Sequence, residues 1–194
     1  MTCKLGDDMT SVLHELLAHK TWATLRVIEL CRTLGPQQLD TSVPGTYGTV
    51  RATLAHLVNA DHGYHRRLTG VELGPPLDKD SASLDAISER FQVLATRWPA
   101  LFDDPAEPDR EIPTQYGTTR GVVVMAQSIH HADDHRTQVL SILGAVGVDL
   151  PEFDVWEHAR QVGLTQTPGV PSLSVTGLVR PAAPTPRGRR VRPG

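Results

Sequence analysis

Two histidines four residues apart, His131 and His135, lie in the stretch Ser128 to Leu143, SIHHADDHRTQVLSIL. On a helix of 3.6 residues per turn that spacing puts both imidazoles on one side, about one turn apart, where they can share a metal ion. Val124, Ser128, Gln138, Ile142 and Val146 fall on the same face, at steps of three and four. The face starts and ends apolar, which predicts a stripe turned into a core, but its middle is polar. Polar groups inside such a stripe are costly unless something satisfies them. The pattern therefore predicts a helix that carries half of a buried metal site, with a third donor supplied by a neighbour. Three neutral imidazoles leave a fourth position for water or substrate, as in catalytic zinc sites. An ion so held lowers the pKa of a bound water or thiol toward neutrality. Gln138 is placed to hold a ligand or line the pocket. Asp61, Asp133 and Asp134 are candidate acceptors for ring N–H groups.

The other histidines make weaker cases. His14-Glu-Leu-Leu-Ala-His19 is one residue longer than the zinc-protease HExxH. A spacing of five puts its two rings about 140° apart around a helix, so the segment is rejected as a metal pair. His14 and His19 read as a surface and a boundary residue. His56 lies beside an apolar stripe, where a histidine is more often a boundary residue than a ligand. His62 and His65, flanked by Asp61, Arg66 and Arg67, read as solvated. No Glu-x-x-His occurs, which sets aside the carboxylate-bridged di-iron bundles.

Four long helices must position these residues. The first is expected from about Thr10 to Leu34, capped by Thr10 and stopped by Gly35-Pro36. The second is expected from Thr49, a plausible N-cap, through Leu68, with Gly70 past its end. A third, capped by Ser81 or Ser83, carries Leu84, Ile87, Phe91, Leu94, Trp98 and Leu101 at alternating steps of three and four. The acidic, proline-broken stretch from Phe102 to Tyr116 reads as a crossover loop with at most a short extended segment. The fourth helix is expected from Thr118 or Thr119 to near Gly147. The fold class is all-α, a four-helix bundle. Glu152 to His158 is expected to form a short C-terminal helix that packs Trp156 on the bundle.

Composition bounds the rest. The chain has 194 residues, 39% of them hydrophobic and 21% charged, enough for one domain with a core. That domain is placed at residues 1–162. A Pro/Gly/Arg-rich tail at 163–194 has no periodicity and is expected to be disordered. The tail holds five arginines and no acid, so of a net charge of −3 the first 162 residues carry −8. An acidic body argues against nucleic-acid binding by the folded domain. The longest apolar run, Val122 to Ala126, is far too short to span a membrane. The beginning, MTCKLGDDM, has no apolar signal core. Cys3 and Cys31 form no CxxC and read as free thiols, which suits a reducing cytoplasm.

The order of these features resembles the DinB/YfiT-like family of metal-binding four-helix bundles. The matching pieces are His19-Lys-Thr-Trp22-Ala, then Gly45-Thr-Tyr-Gly48-Thr with Thr53-Leu-Ala-His56-Leu-Val-Asn-Ala-Asp61. His131-Ala-Asp-Asp-His135-Arg136-Thr-Gln138 follows, and Pro151-Glu-Phe-Asp-Val-Trp156 comes last. They span about residues 10–160. The resemblance implies a ligand triad of His56, His131 and His135 holding a divalent metal, zinc (Zn2+) or nickel (Ni2+), with water in the open place. The family segment often has glycine where Thr137 stands, a change expected to alter packing and not ligation. A related branch, the mycothiol-dependent isomerases, uses a glutamate as one ligand; the chain, with three histidines, is closer to the three-histidine branch. The resemblance implies three functional readings. One is a metal-dependent thiol S-transferase that joins a low-molecular-weight thiol cosubstrate (mycothiol or bacillithiol) to a small electrophilic substrate. The Arg- and Ala-rich composition suits a high-GC genome and hence mycothiol. The second is a metal-dependent hydrolase with Asp61 as general base. The third is a non-catalytic, stress-related metal-binding module that could work as a homodimer.

Overall fold

The computed structural model describes residues 5–104, 106–115 and 117–165, with side chains from Val12 onward. The expected tail beyond Thr165, its arginines and Cys3 lie outside the described residues. Helix α1 runs Leu5–Arg32, α2 Pro36–Leu39, α3 Val50–Thr69, α4 Leu84–Ala95 and α5 Trp98–Asp103. A 3-10 turn at Glu107–Asp109 leads into strands β1, Glu111–Thr114, and β2, Gly117–Arg120. Helix α6, Gly121–Ala145, and α7, Val155–Gln161, complete the order. Among the described residues the fold is all-α apart from one small hairpin.

Four helices close the bundle: α1 packs on α4 and α6, and α3 packs on α4 and α6. The α3–α6 seam is the most extensive of these. Leu54, Leu57 and Val58 of α3 meet Val139, Ile142 and Leu143 of α6 in a core that also takes Val27 and Ile28 of α1 and Ile87, Phe91 and Leu94 of α4. Complete burial of side chains of this size stabilises by about 1.5–3 kcal/mol each. The α3 ends follow local chemistry. The Thr49 hydroxyl accepts from the Ala52 N–H, and Gly70, at φ 72, takes the left-handed conformation that ends the helix. Ser83 caps α4 in the same way, accepting from Ala86.

Several expectations need correction. The first helix starts at Leu5, so Thr10 lies inside it. The third helix is two helices, because Pro99 lacks an N–H and its ring would clash with the Ala95 carbonyl. The chain restarts at Trp98, and Trp98 and Phe102 are still buried. Thr118 and Thr119 belong to β2, with Ile112 paired to Thr119 and Glu111 to Arg120. The fourth helix begins at Gly121, whose N–H donates to the Arg110 carbonyl at 2.8 Å. A Cβ at Gly121 would overlap the Glu107 carbonyl oxygen. The C-terminal helix starts three residues later than expected, capped by Asp154. Trp156 does not pack on the bundle: it is 69% exposed. The helix docks instead through His158, which is buried against Trp22 with ring centroids 5.3 Å apart.

Candidate metal centre

Helix α3 contributes His56 and α6 contributes His131 and His135, and the three rings meet where the seam between the helices opens toward solvent. His56 and His131 are half-buried and His135 is buried. One ligating atom from each lies within 4.8 Å of the other two. The Nε2 atoms of His56 and His131 are 3.2 Å apart. Two imidazole nitrogens on a tetrahedral zinc are separated by about 3.3 Å, from zinc–nitrogen bonds of 2.0–2.1 Å. The His131 and His135 ring centroids are 4.3 Å apart, and those of His56 and His135 are 4.7 Å apart. Nδ1 of His135 is buried with no hydrogen-bond partner. A buried nitrogen without a partner is costly, and a cation would satisfy it. The donor set, its spacing and this orphaned nitrogen all fit a divalent metal.

Electrostatics point the same way. Burial, then the His135 and His56 rings beside it, hold His131 down to about 4. Burial, and then His135, lower His56. Burial lowers His135 too, against the opposing pull of the Gln138 amide and Asp134. All three rings are therefore neutral at neutral pH, the state a metal requires.

Gln138 lies at the cluster, where its Oε1 accepts the Tyr47 N–H at 2.8 Å. This bond ties α6 to the loop before α3. Tyr47 stacks on His56, with centroids 4.1 Å apart and planes 17° apart, and meets His135 edge-on. Tyr64 meets His131 edge-on at 5.6 Å. Sequence reasoning did not assign the two tyrosines. Tyr64, on α3, is two turns and one residue past His56, and that spacing could have pointed to it; Tyr47 stood inside the piece Gly45-Thr-Tyr-Gly48-Thr that carries the family resemblance, with no role drawn from it.

Asp61 is not brought to the cluster. It lies five residues beyond His56, about 140° around α3. Its two carboxylate oxygens accept from Lys20 Nζ and, at 2.8 Å, from Trp98 Nε1. Both Lys20 and Asp61 are almost fully buried, and the ammonium lies 4.3 Å from the Trp98 ring centroid. Of the other acids, Asp133 pairs with Arg136 at 3.0 Å and Asp134 faces His130 at 3.5 Å. The buried Arg136 guanidinium also donates to Thr24 Oγ1 on α1 at 3.1 Å.

The remaining histidines stay outside the cluster. His62 and His65 are not solvated as expected; they are 6% and 2% exposed. His62 accepts from the Leu73 N–H and faces Glu72, and His65 packs edge-on against Trp98. His19 is buried and bonds the Phe153 carbonyl oxygen, and His14 pairs with Asp103. A cavity of 320 Å³ lies away from the cluster, between α3 and the linker at 72–76. Its polar groups have partners: Arg66 pairs with Glu72, His62 accepts from the Leu73 N–H, and Asn59 bonds the Leu77 backbone.

A four-helix bundle with three imidazoles converging from two facing helices defines a class, the bundles that hold a metal between their helices. The chain belongs to the DinB family, whose model matches residues 9–167. That family is generally metal-binding, and the three histidines form a group that could hold an ion. No curated protein matches the chain with significance. Among the described residues no helix is long and apolar enough to cross a membrane.

Proposed function

We propose that the protein is a metal-dependent thiol S-transferase, joining a low-molecular-weight thiol of the mycothiol or bacillithiol type to small electrophiles. The observation that carries this reading is the convergence of His56, His131 and His135 at the mouth of the α3–α6 seam, all held neutral. These residues would hold a divalent ion, zinc or nickel, since three imidazoles suit either. When bound, the ion supplies the Lewis acidity that keeps a thiol sulfur ionised at neutral pH. The chain's own residues do the rest. Gln138 fixes the Tyr47 segment beside the rings, and the Tyr47 and Tyr64 rings pack against the histidines. In the transfer, the sulfur lone pair forms the new bond to the electrophilic carbon. The leaving group departs with the bonding electrons, and the thiol proton passes to solvent.

The hydrolytic alternative needs a general base at the cluster. Asp61, the carboxylate nominated for it, has both oxygens engaged by Lys20 and Trp98. A transferase brings its nucleophile with the cosubstrate and has no need of that base. To test the proposal, zinc-loaded protein is mixed with each thiol in turn and a fluorogenic electrophile. Thiol-dependent acceleration that disappears in His131→Ala is expected. A rate equal to the protein-free rate with every thiol would overturn the reading, leaving a metal-binding module as the better account.

A further inference from the structure

We infer that His62 is a proton-operated latch. Neutral, its ring holds the linker between α3 and α4 against the side cavity; protonated, it lets the middle of that linker go. The inference stands apart from the metal centre and does not depend on it.

The linker leaves α3 at Gly70 and reaches the α4 cap at Ser83. Its far part is pinned twice. The Asn59 amide donates to the Leu77 carbonyl and accepts the Leu77 N–H, each at 2.8 Å, and Arg90 of α4 donates to the Pro75 carbonyl at 3.2 Å. Between these points and Gly70, the backbone is tied to α3 through His62, whose Nε2 accepts the Leu73 N–H at 3.0 Å. The half-buried Leu73 side chain packs on the core there. Gly70 and Gly74, at φ 72 and 100, flank the segment in conformations that glycine takes freely. Behind the segment lies the 320 Å³ cavity, lined in part by His62, Glu72 and Gly74.

An Nε2 that accepts carries a lone pair, so the neutral ring keeps its proton on Nδ1. Nε2 has a second neighbour, Glu72 Oε1, at 2.9 Å. A proton on Nε2 cannot coexist with the Leu73 N–H, because two hydrogens would face each other across one short gap. The protonated ring instead donates to Glu72 Oε1, and the Leu73 N–H is left with that same oxygen, 3.2 Å away. One proton thus moves the anchor from a backbone amide to the tip of a side chain that is 52% exposed. Every charged group facing the ring bears on this exchange. Burial holds His62 below its ordinary value; Glu72 is the main opposing pull, Arg90 and Arg66 add to the lowering, and Asp61 opposes it. Glu72 Oε2 also accepts from Arg66 at 3.0 Å, and His65 lies one turn along α3. With the pKa of the folded chain lowered from 6.5, the Leu73 bond is present at neutral pH and is lost as pH falls through that lowered value.

The test is an NMR titration of the full chain, labelled with nitrogen-15, downward from neutral pH. The ring nitrogens of His62 and the Leu73 amide are followed together. The neutral ring is expected to carry its proton on Nδ1. The Leu73 amide shift should then move with the His62 midpoint, and its protection against hydrogen exchange should fall by about two- to tenfold, as loss of one hydrogen bond implies. His62→Gln places an amide oxygen where Nε2 stands and takes up no proton, so there the Leu73 amide should stay protected throughout. Glu72→Gln, which removes the acceptor for the ring proton, should lower the His62 midpoint further. His131→Ala should leave the whole transition in place. A neutral ring protonated on Nε2, a Leu73 amide indifferent to the His62 midpoint, or the same transition in His62→Gln would overturn the inference. So would a transition that disappears in His131→Ala, which would trace it to the histidine cluster.

Discussion

At the scale of single residues, protons and metal compete for the same lone pairs. His131 is held at about 4, against 6.5 for a free imidazole, and His56 and His135 are lowered in the same direction. The unfolded chain therefore takes up protons near pH 6.5 that the folded chain refuses. Stability linked to these groups is fully present above about pH 6.5 and is lost as pH falls toward 4. Buried His19, His62 and His65 are lowered too and add to the same slope. We expect the urea midpoint of metal-free protein to fall between pH 7 and pH 4, and His131→Gln to flatten part of that fall; a midpoint constant over this range would contradict the assignment. Asp61 makes a second prediction. Burial draws the Lys20 ammonium below its ordinary value, and Asp61 is what opposes it. Asp61→Asn strands that ammonium and should cost about 3–5 kcal/mol in denaturant unfolding. Lys20→Met in the same chain should restore most of the loss, an outcome that a role for Asp61 at the metal would not produce.

Among the elements, the tightest junction is where the 3-10 turn meets the start of α6. Gly121→Ala forces a methyl against the Glu107 carbonyl, backbone against backbone, with no flexible side chain to yield. We expect a loss of about 1–3 kcal/mol, read from chemical denaturation with Gly144→Ala, which meets only a Leu150 methyl, as the milder comparison. How far the elements could be read from the sequence follows from what each signal measures. Periodicity found α3 and α6 because each carries an apolar stripe at steps of three and four, interrupted in α6 by the polar patch around its histidines, and the caps at Thr49 and Ser83 were legible as local chemistry. The same periodicity ran through Pro99, since Trp98 and Leu101 still face inward after the break. The hairpin escaped because its strands are four residues each and only Ile112 is buried. Of the metal cluster, His131 and His135 were visible in their spacing. His56 was not, because its place opposite them depends on how α3 and α6 cross, and only the family resemblance drew it in. Asp61 was misjudged for the converse reason: one helix's sequence does not disclose that Lys20 and Trp98 wait on its other side.

For the molecule as a whole, the cluster joins two helices whose candidate ligands, His56 and His131, are 75 residues apart. A metal bound only to the folded chain should raise the melting temperature by mass action. At a thousandfold excess over the dissociation constant the gain is about 4 kcal/mol, and each kcal/mol shifts the midpoint by roughly 2–4 °C in a domain of this size. Chelation should lower the melting temperature of wild type accordingly and leave His131→Ala unmoved, as followed by circular dichroism. The polar layer behind the cluster has a different consequence. Leucines and valines on a bundle core are nearly interchangeable, so sliding α6 one residue against α1 would bury much the same hydrocarbon. The same slide would carry the Arg136 guanidinium away from the Thr24 hydroxyl and the Lys20 carbonyl of α1 and set it among apolar side chains. Lys20, Asp61 and Arg136 thus act as a key cut into an otherwise smooth lock. Their effect is less to deepen the native state than to raise the misaligned ones, and the imidazoles arrive at one another because every neighbouring alignment has been made expensive.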